Sequence, residues 1–324
     1  MDFLTQLAVG KPIWMWALFG LTVFFLLALD LGVLHRRARA IGVRESLALS
    51  AFYIVIALIF GAWIWASLGP TAGKEYMTGY LVEKTLAMDN IFVISLVFTY
   101  FAIPDKYQHR VLFWGILGVI LLRGIMIGAG VALVTQFSWS LYVFAVFLIA
   151  TGVKMLFIGD RPPDIGNNFI LKHLRRHLRI TPELHENRFF VRRPDPETGA
   201  QVTWVTPLFV ALILIEIVDV IFAVDSIPAI FAITTDPFIV YTSNIFAILG
   251  LRALYFALAA VIGRFVYLKQ ALALVLVFIG AKVFAADLAG LEKIPASISL
   301  GVTVALIGGG MLYSLWRTRA SSPA

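Results

Sequence analysis

The chain has 324 residues, 60% of them hydrophobic and 14% charged. A soluble domain is about 45–50% apolar and about 25% charged, so this balance excludes an ordinary soluble enzyme and points to a polytopic membrane protein. The net charge is +7 and there are no cysteines, which excludes disulfides, thiolate metal sites and thiol redox chemistry within these residues.

Apolar runs of about 18 residues or more mark spanning helices. Nine are predicted, at 12–34, 46–68, 79–102, 111–135, 139–158, 206–234, 241–262, 270–287 and 296–316. No short apolar region ends in a small-residue cleavage site, so no removable signal peptide is expected. The first span contains Asp30 and is followed by Arg36, Arg37, Arg39 and Arg44. Lys106 and Arg110 follow the third span, Arg264 and Lys269 the seventh, and Arg317 and Arg319 the ninth. The connection after the fifth, 159–205, carries eight Lys or Arg against six Asp or Glu. The alternate connections hold chiefly Lys74 and Lys293. Positive-inside logic puts the N-terminus outside and the C-terminus in the cytoplasm. Flanking basic residues of this kind set topology and give no reason to expect nucleic acid as a partner.

The third span contains Glu83–Ile94, EKTLAMDNIFVI, and the sixth contains Asp219–Ile230, DVIFAVDSIPAI. Aligned without a gap, Glu83 falls on Asp219, Asp89 on Asp225 and Asn90 on Ser226. Spans four and seven share GILGVILLRG and AILGLRA; spans five and eight share TGVKMLF and IGAKVFA. Three spans repeated in tandem reverse their orientation, so the expected fold is an all-α, polytopic membrane helical bundle with two inverted three-helix repeats. The expected organisation is 1–78 for helices one and two, 79–158 for the first repeat, 159–205 for a basic cytoplasmic loop, 206–290 for the second repeat and 291–324 for the last helix and tail. Within the loop, FILKHLRRHLR reads as a basic amphipathic helix lying on anionic lipid, with a metal-sensing face through His173 and His177 as the alternative. Phe190–Arg193 and Gln201–Trp204 read as a hairpin.

A carboxylate in hydrocarbon costs about 2.5–3.5 kcal/mol even on the mild insertion scale, and marks a functional site by default. The candidates are Asp30, Glu83, Asp89, Glu216, Asp219 and Asp225, with Asn90 and Ser226 as neutral oxygens. Oxygen donors suit hard cations such as Mn, Ca and Mg. Pro228 leaves the carbonyl of Val224 without its helical donor. On a straight helix Glu83 and Asn90 share a face, as do Asp219 and Ser226, while Asp89 and Asp225 lie about 100° away. The expected arrangement has Asp89 and Asp225 around one divalent ion. Glu83 and Asp219 then line an access path from the outside and the cytoplasm respectively. The competing reading is that Arg123, Arg252, Lys154 and Lys282 neutralise these acids in packing ion pairs; for the two arginines the structural role is preferred. Lys84 is expected to snorkel to the interface. The sequence contains no Walker loop, nucleophile elbow or His-Glu-x-x-His helix, so an enzyme is not expected.

The stretches FLLALDLGVLHRR, EKTLAMDNIFVISLVF, EIVDVIFAVDSIPAIFAI and SNIFAILGLRALYF resemble the TerC family of integral membrane proteins, within the LysE-type exporter superfamily. The resemblance implies efflux of divalent cations, manganese above all, across the bacterial inner membrane, with no tightly bound cofactor. It assigns the metal role to Asp30, Glu83, Asp89, Asn90, Glu216, Asp219, Asp225 and Ser226. Proton coupling and a homo-oligomer remain open. The alternatives are a calcium or other divalent cation/proton exchanger, or a non-transporting scaffold for stress resistance or metal loading of exported proteins.

Overall fold

The computed structural model describes residues 6–29, 43–137, 139–157, 169–195, 199–258, 267–289 and 294–320. A small ladder of β1 (Leu7–Ala8) and β2 (Lys11–Pro12) precedes α1 (Ile13–Leu29), α2 (Val43–Leu68), α3 (Pro70–Tyr100), α4 (Asp105–Gln136) and α5 (Ser140–Phe157). After α6 (Phe169–His177) and the strands β3 (Phe190–Pro194) and β4 (Gln201–Val205) come α7 (Pro207–Phe231), α8 (Pro237–Leu249), α9 (Leu251–Leu258), α10 (Leu268–Leu288) and α11 (Ala296–Ala320). Among the described residues, six helices are long and apolar enough to cross a membrane: α2, α4, α5, α7, α10 and α11. Helices α1 and α8 are shorter apolar helices. At 31 residues, α3 is about 46 Å long by helical rise and carries the charges of the acidic stretch. Leu21, Phe24 and Phe25 on α1, Leu121 and Ile125 on α4, and Val143 and Val146 on α5 face outward. A belt of this kind is costly in water and is what a lipid-facing surface needs.

The single residue Gly69 joins α2 to α3. Its φ is 93°, which glycine adopts without a Cβ penalty, and Pro70 takes the first helical position, where its missing N–H costs nothing. The third helix therefore starts at Pro70, well before the expected 79. The two helices pack closely: a Cβ on Gly61 would lie 2.8 Å from the Tyr76 ring, and one on Gly73 2.7 Å from Trp65.

The seventh expected span, 241–262, is divided at Gly250 into α8 and α9. Lys84 explains the position of the break. Its Nζ donates to the Ala247 carbonyl at 3.0 Å, and a Cβ on Gly250 would meet that Nζ at 2.9 Å and the Tyr53 side chain at 3.1 Å. The expectation that Lys84 snorkels is therefore corrected. It is buried, at the C-terminal end of α8, where free carbonyls and the helix dipole favour a cation. The other end of α8 is capped by Asp236, whose Oδ1 accepts from Phe238 N at 3.0 Å and Ile239 N at 3.4 Å and whose Oδ2 pairs with Lys11 at 2.8 Å.

Helices α5 and α10 cross through matched glycines. A Cβ on Gly152 would lie 2.6 Å from the Ala273 carbonyl and 2.7 Å from Val277, and one on Gly280 2.6 Å from the Ala145 carbonyl and 2.8 Å from Ile149. The partners stand seven and three residues before the opposite glycine in both directions, so the helices run antiparallel and the contact is reciprocal. Gly152→Ala and Gly280→Ala should each destabilise by about 1–3 kcal/mol, the range for overpacking. Unfolding of the purified variants in detergent measures this; two unchanged midpoints would refute so close a crossing.

Helix α6 docks rather than floats. Leu171 is buried in a cluster with Phe98, Leu208 and Tyr255, while Phe169 is exposed. The expected hairpin forms with Val191 opposite Trp204, and is pinned to the start of α7 by Thr206 N to Phe189 O at 2.9 Å and Thr206 Oγ1 to Arg188 O at 2.7 Å. The rings of His173 and His177 lie with centroids 4.1 Å apart, tilted by 33°.

Candidate cation site at the bundle centre

Helix α8 is buried on nearly every side, as an all-round apolar helix must be. Three helices surround its middle with polar groups: α3 with Glu83 and Asn90, α4 with Arg123, and α7 with Asp219 and Ser226. These groups, and Asn244 of α8, are all buried. Arg123 is the hub. Its Nε donates to Asp219 Oδ2 and its Nη2 to Asp219 Oδ1, both at 3.1 Å, a bidentate fork that is among the stronger ionic hydrogen bonds. Its Nη1 donates to Glu83 Oε1, to Asn244 Oδ1 at 2.8 Å and to Ser226 Oγ at 3.4 Å. Asn90 Nδ2 adds a bond to Asp219 Oδ1 at 3.1 Å.

The cross-pairing follows from the aligned stretches. Glu83 corresponds to Asp219 and Asn90 to Ser226 in sequence, and in space Asn90 meets Asp219 while Ser226 meets the guanidinium that holds Glu83. Antiparallel packing of α3 on α7 requires this exchange. Two carboxylates alone in the apolar centre would repel each other, and the guanidinium offsets both the repulsion and their desolvation.

The structure brings together four of the eight expected metal residues, Glu83, Asn90, Asp219 and Ser226. Glu83 and Asp219 do not sit at opposite ends of a path: both meet one guanidinium, because the helices cross where the two acids stand. Glu216 lies on α7 one turn before Asp219, half-buried. Neither of its carboxylate oxygens has a hydrogen-bond partner, and the carboxylate occupies the space that a Cβ on Gly118 would take. Asp30 lies outside the described residues. Asp89 and Asp225 are described as positions on α3 and α7, and their side chains, like that of Arg252, lie outside the described residues. Among the described residues no three acidic or histidine side chains converge as a metal cluster. Lys154 is exposed on α5, and Lys282 donates to Ser299 Oγ at 3.1 Å; neither reaches the centre.

The ion-pair role expected for Arg123 is what the structure shows, with Glu83 and Asp219 as its partners, whereas Asn244 was not selected from the sequence. Arg123 was legible as a rare charge in a span, but its pairing needed the fold. Asn244 was legible as an amide inside an apolar run. A narrow slot of about 30 Å³, lined by Asn90, Asp219, Ile94, Leu112, Ile215 and Tyr255, adjoins the centre toward the end of the bundle that carries the hairpin. At the other end a cavity of about 550 Å³ is lined by Lys74, Glu75, Tyr142, Lys282, Asp287 and Ser299 among others.

Apolar helices around a buried, charged polar centre define a polytopic integral membrane protein built around an ionic site. The family model described as integral membrane protein TerC family matches residues 68–322, most of the chain, and the chain belongs to that family. It is 50% identical over 302 residues, 93% of this chain and 97% of the other, to an uncharacterized membrane protein of Rickettsia bellii. It is 47% identical to the uncharacterized membrane protein STKORF319 of Myxococcus xanthus, over 96% of this chain and 95% of that one. A Salmonella typhi protein provisionally named a membrane-bound redox modulator, Alx, is 45% identical over 95% of each chain. No solved structure is significantly similar.

Proposed function

We propose that the protein is a gradient-driven exporter of a divalent cation, manganese foremost, that works by alternating access in the bacterial inner membrane, with the N-terminus outside. The observation that carries this reading is the buried set of hard oxygens, Glu83, Asn90, Asp219, Ser226 and Asn244, held between three helices at the bundle centre. Asp89 and Asp225 stand next to Asn90 and Ser226 in the chain and complete the proposed donor set, with Glu216 beside it. Carboxylate, amide and hydroxyl oxygens match Mn²⁺ better than softer metals. Export against 100 mV, inside negative, costs about 2 × 2.3 kcal/mol, and proton entry is the proposed source.

A redox role, as in the provisional name of the relatives, would not run through thiols here. There is no cysteine for thiol exchange, and changing the manganese supply is one indirect route. Reconstituted protein in sealed vesicles decides between transport and a scaffold. Mn²⁺ movement that rises with an imposed proton gradient at fixed membrane potential is expected. Movement that ignores the proton gradient removes proton coupling; no Mn²⁺, Ca²⁺ or Mg²⁺ movement under any gradient removes export.

A further inference from the structure

The atoms that hold Arg123 are the atoms a transported cation needs. Glu83 Oε1, both Asp219 oxygens, Ser226 Oγ and Asn244 Oδ1 all accept from the guanidinium. Two buried acceptors of the same cluster remain open, Glu83 Oε2 and Asn90 Oδ1. The group is therefore an oxygen cage richer in acceptors than one guanidinium satisfies. Its charge is also informative. Two carboxylates and one guanidinium leave one negative charge. A divalent ion in place of the guanidinium leaves none. Both cations together would set three positive charges against Glu83 and Asp219, so an ion that binds without displacing the guanidinium would have to draw on Asp89 and Asp225 instead. On the shared oxygens of Glu83 and Asp219 the two cations compete.

We propose that Arg123 is a tethered cation that competes with the transported ion for Glu83 and Asp219. In the arrangement seen here the guanidinium fills the cage and ties α4 to α3, α7 and α8. Ion binding requires the guanidinium to withdraw, and its return expels the ion. Because the side chain is anchored on α4, occupancy of the cage is tied to the position of that helix against α3 and α7. This inference rests on the export reading and gives Arg123 a role beyond the packing ion pair expected from the sequence.

A purely structural arginine and a competing one predict opposite effects on binding. The test is Mn²⁺ titration of the purified full chain in detergent, followed by loss of the free-ion electron paramagnetic resonance signal, with vesicle transport measured in parallel. Arg123→Gln should bind Mn²⁺ at least about tenfold more tightly than the parent, which is 1.4 kcal/mol, and should transport it more slowly. In Arg123→Ala, added guanidinium ion should weaken Mn²⁺ binding, and it should not do so in the parent. Should Arg123→Gln not purify folded, Arg123→Lys carries the test, since a shorter one-point donor should still compete less well than the fork. Folded variants that bind no more tightly, beside a parent that transports Mn²⁺, overturn the inference and leave export standing. A parent and variants that all neither bind nor move Mn²⁺ overturn both.

Discussion

Arg123→Met is expected to destabilise the metal-free protein by roughly 3–5 kcal/mol, the range for removing one partner of a buried ion pair. The guanidinium serves Glu83, Asp219, Asn244 and Ser226 at once, and its loss leaves two buried carboxylates facing each other. The order of effects is set by charge. Glu83→Gln leaves one carboxylate with one guanidinium, a neutral pair, and should be milder than Arg123→Met. The triple variant Glu83→Gln, Arg123→Met, Asp219→Asn removes all three charges of this ion-pair network and should recover much of the loss, because partners in one network do not add. Reversible unfolding in detergent, without metal, reads all three. A triple variant less stable than Arg123→Met would mean that the ionic network is not what the single substitution breaks.

Asp89→Asn or Asp225→Asn is expected to cost most of the Mn²⁺ transport, and the double variant little more than either alone. The two acids align in the repeated stretches, and they stand on antiparallel helices next to Asn90 and Ser226. Each asparagine keeps the side-chain size and removes one charge from the proposed cage. Groups that act as one unit show this non-additivity. Initial rates of Mn²⁺ uptake into vesicles, normalised to folded protein, measure it. Parent-like rates in both single variants would move the site to Asp30, Glu216 and Asp219.

The amino-acid sequence by itself determined the class of protein. Its apolar runs match helices because a chain in lipid must satisfy its backbone hydrogen bonds internally, and α-helix formation does so within each segment. The hairpin 190–205 was equally legible, since alternation and a Pro/Gly turn are local signals. Glu83 and Asp219 were legible as candidates, because a charge in an apolar run stands out whatever it touches. Their expected place on an access path, with Asp89 and Asp225 at the centre, was not the place the fold gave them.

Tertiary structure decided how those charges are used. Nothing local in the sequence says that Arg123, 40 residues from Glu83 and 96 from Asp219, closes on both, or that Asn244 joins them. Each contact depends on which helix faces which. The apparent seventh span looked continuous because Gly250 is weak evidence for a break. The break is set by Lys84, whose ammonium enters from another helix, and that same contact reverses the snorkelling expected for it. Hydropathy counts what a residue costs in lipid. It cannot count the partner that removes the cost, because that partner lies on another segment and reaches it only when the helices pack.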